Sequence, residues 1–419
     1  MSFQNRKLRH LIRHAYNNVK YYRGLFDRAG IKPADIRTVN DLHMIPITEK
    51  NELRACAAED ILARGSDPKR LAALVTSGAS GRPFIVRRGR FEDHVINMFR
   101  IRTGRQYGLR TRDRRTRVIL GDVEGEKRAT FLTHVRQALR VYRSYPVKCL
   151  QPASIICDSL MGMDPDVIEG YPSVLAHVAP LVQGRFSGKK LRWVVCGGES
   201  LGEVKRRAIE QGFGVRVFDT FGAHECNLVA WECEDTGLYH VCDDNVVVEV
   251  LRDGKRVAQG ESGEVVITAL HSYAMPFIRY CLGDMVVQGS EKCPCGQPFS
   301  TFESIKGRVR DYFYLPDGRH VHPLEIILPV FSEAASWLDQ FQMTQETESR
   351  FVLRISSLRT PTSEGLEHMQ KAISGRLGKG AEFRMELVDH IAFEPSGKFR
   401  DCRCLISPRV GESTLGQVS

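Results

Sequence analysis

The spacing of apolar residues predicts a chain of alternating helices and strands. Apolar and aromatic side chains recur at helical spacing from residue 5 to about residue 29, which predicts a helix that ends at Gly30. Residues 191–196 and 215–219 have the composition of buried strands, and residues 201–211 between them have a helical pattern. Strand, helix and strand in this order form a βαβ unit, so the pattern predicts an α/β fold with a parallel sheet.

The pattern changes toward the C-terminus. Alternating apolar residues from 245 to 287, with a hairpin turn at 252–255, predict a β-rich subdomain. A strand at 351–355 and a helix at 364–377 predict a small α+β domain. We therefore expect a large N-terminal domain over residues 1–310 and a small C-terminal domain over residues 311–419.

Composition narrows the class of protein. The 419 residues are 42% apolar and 26% charged, as in ordinary globular proteins, and neither a signal peptide nor a membrane-spanning stretch is visible. Twelve scattered cysteines without a secretion signal favour a reducing cytoplasm. The net charge of +10 suits nucleic acid or anionic substrates equally, but no nucleic-acid-binding motif is present. We expect no nucleic-acid or membrane partner.

One polar turn between two apolar runs is a candidate phosphate loop. Residues 76–83 read Thr-Ser-Gly-Ala-Ser-Gly-Arg-Pro. Glycines let the backbone approach a ligand, while hydroxyls and the positive charge of Arg82 suit polyphosphate oxygens. It is not a Walker loop, and a plain turn between strands is the alternative interpretation.

Two small-residue segments follow the strands of the βαβ unit. Gly197, Gly198 and Glu199 follow the first strand, and residues 221–225, Phe-Gly-Ala-His-Glu, follow the second. Ligands of parallel sheets bind beyond the carboxyl ends of the strands. The two segments therefore predict the floor of a nucleotide site.

A run of charges, Arg-Thr-Arg-Asp-Arg-Arg-Thr-Arg, occupies residues 110–117 and precedes a short strand at 118–120. Charge runs of this kind are usually solvated, and a solvated loop is expected here. Contact with an anionic substrate is the alternative.

Cysteine and histidine spacing suggests a metal site. Cys233 and His240 are followed at a distance by Cys293 and Cys295 in a Cys-Pro-Cys-Gly segment. Thiolates with an imidazole suit tetrahedral Zn²⁺ in a closed, structural site. The alternatives are separate reduced cysteines, or a site in which Cys242 replaces one ligand.

Taken together, these motifs resemble, in order, those of the adenylate-forming superfamily, and within it the phenylacetate–CoA ligase family with its capsule-biosynthesis-associated relatives. The resemblance runs from the Tyr-Tyr-Arg segment at 21–23 to the Ser-Gly-Lys segment at 396–398. It implies a small C-terminal domain that is mobile. Five motifs in the family's order are far more specific than any one of them.

The resemblance implies roles for the nucleotide-binding segments. The loop would hold the β- and γ-phosphates of ATP, although Ala79 replaces a hydroxyl residue and Arg82 replaces lysine. Residues 197–199 would lie against the adenine, and Phe221 would pack on it without the family's usual hydroxyl, next to Gly222. The ATP-binding residues of the loop are Thr76, Ser77, Gly78, Ser80, Gly81 and Arg82.

Further roles follow from the same resemblance. Glu225 would bind Mg²⁺, and Asp284 would bind the ribose hydroxyls. The other implied roles are Arg308 as a second ribose or phosphate contact, Asp311 as the hinge, Lys398 as the lysine that reaches the α-phosphate, and Tyr171, Ala223 and His224 in the acid pocket.

The implied reaction joins a carboxylic acid to ATP as an acyl-adenylate, with release of pyrophosphate. A thiol acceptor, most often coenzyme A, would then take the acyl group. Two alternatives stay open: transfer to an amine or a carrier protein, and a nucleotide-binding scaffold without turnover. The resemblance also implies a homodimer.

Overall fold

The structure is a computed structural model that describes residues 2–76, 84–119, 139, 141–308, 313–321, 323, 326–327, 330, 337–357, 359–392, 400 and 402–406. The chain forms two compact units. The first comprises Met1–Leu251, Lys255–Leu282 and Val286–Ile305; the second comprises Arg252–Gly254, Gly283–Met285 and Lys306–Ser419.

The elements alternate as the apolar pattern predicts. The helices are α1 (Ser2–Asn18), α2 (Lys20–Arg28), α3 (Lys50–Ala55), α4 (Ala58–Ile61), α5 (Arg90–Gln106), α6 (Ala153–Met163), α7 (Pro172–Val182), α8 (Glu203–Phe213) and α9 (Ser363–Leu377), with a 3-10 helix at Val39–Met44. The strands are β1 (Ala72–Thr76), β2 (Phe84–Arg88), β3 (Arg115–Ile119), β4 (Ser144–Lys148), β5 (Val167–Gly170), β6 (Trp193–Gly197), β7 (Arg216–Phe221), β8 (Ala230–Glu232), β9 (Tyr239–Val241), β10 (Val246–Arg252), β11 (Lys255–Arg256), β12 (Ser262–Ala269), β13 (Tyr280–Gln288), β14 (Thr301–Arg308), β15 (Phe313–Tyr314), β16 (His320–Val321), β17 (Leu338–Gln345), β18 (Arg350–Ser357), β19 (Glu382–Leu387) and β20 (Cys402–Cys404).

The N-terminal region forms two helices where the sequence predicts one. Val19 has extended backbone angles, φ −119° and ψ 114°, and separates α1 from α2. The apolar stripe nevertheless stays buried on both sides of the break, from Leu8 to Phe26. Helical periodicity identified the buried face correctly but does not reveal a single extended residue.

A large mixed sheet organises the first unit. Strands β4, β3, β5, β6 and β7 are neighbours and parallel, and the βαβ unit β6–α8–β7 is confirmed. From β7 onward the sheet continues through the antiparallel neighbours β8, β9 and β14. The predicted fold class, α/β with parallel strands and a β-rich part, is confirmed.

Helix α5 packs across the parallel strands. Tyr107, directly after α5, stacks on Phe218 of β7 with ring centroids 3.9 Å apart. Its hydroxyl donates a 2.6 Å hydrogen bond to the backbone oxygen of Glu232. Trp193 joins the same apolar cluster from β6. These contacts fix the C-terminal end of α5 against the sheet.

The second unit has its own core. Strands β19, β18, β17 and β20 form a four-stranded sheet, and α9 buries Met369, Ile373 and Leu377 in the same cluster as Phe351 and Leu353 of β18. Helical spacing on α9 and alternation on β18 place both apolar faces in one core. The small C-terminal α+β domain predicted by the sequence is present.

Candidate active site

The carboxyl edge of the parallel strands gathers the two segments predicted as a nucleotide floor. Strand β6 ends at Gly197 and β7 at Phe221, and Gly197 pairs with Thr220 in the register of the two strands. Segments 197–199 and 221–225 therefore leave the sheet next to each other. This is the edge at which parallel sheets bind ligands.

Glycine is required at this edge for steric reasons. A Cβ on Gly222 would lie 2.2 Å from the backbone oxygen of Asn227, and a Cβ on Gly197 would lie 2.6 Å from Oγ1 of Thr220. Gly198 has a φ of +81°, in the left-handed region that glycine adopts without strain. Close packing against Asn227 and Thr220 therefore requires glycine at positions 222 and 197.

Glu225 is a buried carboxylate just beyond β7. The residue is 5% exposed, and its Oε1 accepts a 2.9 Å hydrogen bond from the Tyr280 hydroxyl. Burial, and then the charge of Glu225, raise the pKa of Tyr280, so the phenol stays protonated and keeps donating. Among the described residues no donor reaches Oε2. The carboxylate thus retains an oxygen that fits a hard cation such as Mg²⁺.

Tyr280 is a candidate site residue that the sequence reasoning missed. It lies at the start of β13, 55 residues from Glu225, and only the fold brings the two together. The sequence did contain a signal for this role. Phe221 lacks the family's usual hydroxyl, and segment 279–284 supplies a hydroxyl at Tyr280. Arg279 fixes this segment through a buried ion pair, with Nε 2.9 Å from Oε2 of Glu249.

Two arginines hold the loop that carries Glu225. Arg88 donates through Nη2 to the backbone oxygen of His224. Arg100, on α5, donates through Nε to Oδ1 of Asn227 at 2.6 Å and through Nη2 to its backbone oxygen at 3.5 Å. Residues 222–227 are therefore fixed from two sides by charged donors, which places Glu225 reproducibly.

Glu199 and Tyr171 meet at the start of α7. Glu199 Oε2 accepts the Ser173 backbone N–H at 3.1 Å, so a carboxylate lies at the positive end of the helix. Tyr171 is the residue before the helix, and burial raises its pKa to about 12. Of the other predicted acid-pocket residues, Ala223 is half-buried and His224 is exposed. Tyr171 is half-buried and directly follows β5, which pairs with β6.

The charge run at residues 110–117 was expected to be a solvated loop. That expectation was wrong for its second half, which forms a strand. Arg115 and Arg117 lie on β3 and alternate with buried residues. Arg115 Nε is 3.0 Å from Oε1 of Glu169, and Arg117 Nε is 3.6 Å from Oε2. Burial raises the pKa of Glu169, but the arginines more than offset it, so the pKa lies below its usual value. A charged group therefore lies within the fold beneath the candidate site.

The four predicted zinc ligands come together. The ligand atoms of Cys233, His240, Cys293 and Cys295 all lie within 4.8 Å of one another. The Sγ atoms of Cys233 and Cys293 are 3.8 Å apart, and Cys295 Sγ is 3.3 Å from His240 Nε2. With Zn–S bonds of about 2.3 Å, tetrahedral geometry separates two sulfur ligands by about 3.8 Å. The arrangement fits Zn²⁺.

The electrostatics of this cluster suit a metal as well. Burial lowers the pKa of His240, which keeps the ring neutral. Burial raises the pKa of Cys233, but hydrogen bonds from Thr236 and from the backbone outweigh it and favour the thiolate. Cys242 is not part of the cluster, because its Sγ contacts Arg102 at 3.2 Å and Asp244 at 3.5 Å. Its suggested role as a replacement ligand was wrong.

Several predicted site residues lie outside the described part of the chain. They are Ser77, Gly78, Ser80, Gly81, Arg82, Asp311 and Lys398, together with the side chains of Thr76 and Arg308. Asp284 is half-buried on β13. The roles given to these residues stay predictions.

Comparisons with known proteins agree on one kind of enzyme. Residues 313–403 match the CapK C-terminal domain. The chain is 27% identical over 338 residues to phenylacetate-coenzyme A ligase of Thermus thermophilus, covering 78% of this chain and 74% of the relative. It is 30% identical over 296 residues to the enzyme of the same name from Escherichia coli, covering 68% and 66%.

Solved structures agree with the fold. A 2-hydroxyisobutyryl-CoA ligase in the postadenylation state superposes with a TM-score of 0.77 at 20% identity, covering 97% of this chain and 89% of that one. An anthranilate CoA ligase superposes with a TM-score of 0.56 at 16% identity, covering 80% and 67%. In the described residues, every helix is too short or too polar to cross a membrane.

Proposed function

Because this chain belongs to the phenylacetate–CoA ligase family of adenylate-forming enzymes, we propose that it activates a carboxylic acid with ATP and passes the acyl group to the thiol of coenzyme A. It is an adenylate-forming ligase. Membership of the family does not identify the acid that it activates. The reaction needs a site that positions anions and neutralises developing charge.

In the first step, an oxygen of the acid would form a bond to the α-phosphorus of ATP, and the bond to pyrophosphate would break. No proton needs to move, because the acid reacts as its carboxylate. Mg²⁺ bound by Glu225 would supply charge neutralisation. The backbone of segments 197–199 and 221–222 would hold the nucleotide, with Phe221 against the adenine and Asp284 on the ribose.

The observation that carries the proposal is the Glu225–Tyr280 pair. One carboxylate oxygen of Glu225 accepts a hydrogen bond from the Tyr280 phenol, and the other, without a hydrogen bond among the described residues, is available to a cation. The carboxylate lies at the strand edge where the glycine segments meet, as Mg-ATP binding requires. A scaffold that binds no metal nucleotide has no physical need for this arrangement.

In the second step, the CoA thiol would lose its proton to water, its sulfur would form a bond to the acyl carbon, and the bond from that carbon to the AMP oxygen would break. We assign Lys398 to the α-phosphate during adenylation, Arg308 to a ribose or phosphate contact, and Asp311 to the hinge about which the C-terminal domain turns between the steps. The loop at 76–83 would hold the terminal phosphates. A homodimer stays a prediction.

For the Cys233 cluster we propose a structural Zn²⁺. Four protein ligands leave no open coordination position for chemistry, so the ion would fix the β8–β9 turn to segment 293–295.

Pyrophosphate release from Mg-ATP, measured over a panel of aryl and aliphatic acids with and without CoA, tests the proposal. We expect release that depends on one class of acid and proceeds to a thioester when CoA is present. Release without a thioester would instead favour an amine or a carrier protein as acceptor. ATP binding without release for any acid would support the scaffold and contradict the proposal.

A further inference from the structure

Arg279 has a strained backbone directly before Tyr280. Its φ is +44°, in the left-handed region that residues with a Cβ rarely adopt. Strain of this kind persists only where the surrounding contacts hold it, and it is concentrated at functional sites. The next residue, Tyr280, donates its hydroxyl to Glu225. The contacts that hold Arg279 therefore also set the position of the phenol.

The guanidinium of Arg279 is held by a carboxylate and by the N-terminal region. Its Nε lies 2.9 Å from Oε2 of Glu249 on β10, and its Nη2 lies 3.0 Å from Oε1. The two side chains are 6% and 2% exposed. Nη1 donates to the backbone oxygens of His43 and Ile45, in and directly after the 3-10 helix. Two-point contact with a carboxylate fixes the orientation of a guanidinium as well as its position.

The backbone of Arg279 is held as well. Its N–H donates to Oγ1 of Thr268 at 3.1 Å, and its backbone oxygen accepts the N–H of Thr48 at 2.8 Å. The backbone oxygen of Thr48 in turn accepts the N–H of Cys281 at 3.0 Å. Tyr280 thus lies between two residues that are both bound to Thr48.

We propose that Arg279 and Glu249 are positioning residues for the Mg²⁺ site: their ion pair keeps Arg279 in the left-handed conformation, which directs the Tyr280 hydroxyl at Glu225. The inference rests on the proposed function, in which Glu225 binds Mg²⁺. A buried ion pair contributes little net stability, so its effect on geometry is the property to measure. Residues that orient a metal ligand change metal affinity when they are replaced.

Glu249→Gln tests the inference, because it keeps the size of the side chain and one acceptor oxygen but removes the charge. We expect the Mg²⁺ concentration for half-maximal acid-dependent pyrophosphate release to rise about tenfold. Calorimetry without acid gives a readout that needs no turnover. There, the factor by which Mg²⁺ tightens ATP binding should fall. An unchanged Mg²⁺ dependence in both measurements would overturn the inference.

A double variant shows whether the ion pair acts through the phenol. Tyr280→Phe already lacks the hydroxyl, so adding Glu249→Gln should leave the Mg²⁺ dependence of the single variant unchanged. A general loss of structure would instead lower Mg²⁺ affinity further in the double variant. That result would overturn the positioning role.

Asp113→Asn is the matched control for the loss of a buried ion pair. Asp113 is 5% exposed, pairs with Arg192 and lies two residues before the amino end of β3. This variant should lose stability in urea and keep the wild-type Mg²⁺ dependence. If Glu249→Gln behaves in the same way, its ion pair is only structural and the inference is wrong.

Thr268→Val gives the decision if Glu249→Gln does not fold. It removes the acceptor of the Arg279 N–H at nearly constant side-chain size and leaves the ion pair in place. We expect the Mg²⁺ requirement to rise in Thr268→Val and to show no further rise when Thr268→Val is added to Tyr280→Phe. A wild-type Mg²⁺ requirement in Thr268→Val would overturn the inference.

The inference and the proposed function fail in different ways. If Tyr280→Phe raises the Mg²⁺ requirement and neither Glu249→Gln nor Thr268→Val does, the inference is wrong and the ligase function stands. A wild type that releases pyrophosphate without Mg²⁺, or releases none with any acid, would contradict the proposed function and the inference with it.

Discussion

The Tyr280 hydroxyl is the residue-scale contact on which the site depends most. It donates to one oxygen of Glu225 at 2.9 Å, and the other oxygen is the one to which we assign a cation. The position of Glu225 was predictable, because it follows a strand of a βαβ unit. The position of Tyr280 was not predictable, because strand pairing between residues far apart in the sequence brings it to Glu225. Arg115 and Arg117 were misjudged for a related reason: their partner, Glu169, lies on another strand.

We predict that Tyr280→Phe lowers acid-dependent pyrophosphate release about tenfold and raises the Mg²⁺ concentration needed for half-maximal rate. The substitution removes the hydrogen bond that orients the Glu225 carboxylate, and such a bond to a charged group contributes about 1.5 kcal/mol. Tyr22→Phe is the matched control, since its buried hydroxyl donates to the Pro276 backbone at 3.1 Å. That variant should lose stability without changing the Mg²⁺ dependence. An unchanged Mg²⁺ dependence in Tyr280→Phe would show that the Tyr280–Glu225 hydrogen bond plays no part in Mg²⁺ binding.

Gly222→Ala should impair both folding and activity. The added Cβ meets a backbone oxygen at 2.2 Å, so the loop must move, which costs about 1–3 kcal/mol. Gly162→Ala is the control, because it lies in α6 with nothing within 4 Å of the added Cβ. Urea unfolding of the two variants gives the comparison. Equal stability would show that the loop is not constrained as described.

At the scale of elements, the βαβ unit was the most predictable part of the fold. Continuous apolar runs on β6 and β7 with an amphipathic helix between them are compatible with few structures other than a βαβ unit. Element ends were less predictable: one extended residue, Val19, divides the N-terminal helix, although the apolar stripe is continuous. The spacing within each half, Cys233 with His240 and Cys293 with Cys295, predicted the ligands, and the pairing of β9 with β14 brings the two halves together.

Removal of the metal should loosen the first unit. We expect about one Zn²⁺ per chain, and a chelator should lower the melting temperature by about 5 °C or more because binding stabilises the folded state. Cys295→Ser should bind the metal poorly, whereas Cys242→Ser should keep it. A chain without metal that melts at the same temperature with and without a chelator would contradict the structural zinc.

At the scale of the molecule, the chain is two compact units, each with its own core. Composition and periodicity predicted two domains. The acid, the acceptor and the movement between the two steps are not encoded in periodicity, since they depend on side chains brought together by the fold. The resemblance to a family supplied the reaction type.

If Lys398 has the role we propose, Lys398→Ala should lower adenylation by about 100-fold or more while ATP binding survives, because the ammonium would neutralise charge on the α-phosphate only as the bond forms. Lys379→Ala, an exposed lysine of the second unit, is the control. Pyrophosphate release and ATP binding should be measured on both. Unchanged release in Lys398→Ala would remove the assignment of that lysine.

The most direct test of the central claim is acid-dependent exchange of labelled pyrophosphate into ATP, without CoA, for the wild type and Glu225→Gln. Exchange requires a reversible acyl-adenylate. We predict exchange that needs both acid and Mg²⁺, a loss of about 100-fold or more in Glu225→Gln, and no loss in Glu203→Gln, which changes an exposed residue of α8. Exchange that proceeds without acid, or survives in Glu225→Gln, would contradict adenylation at this site.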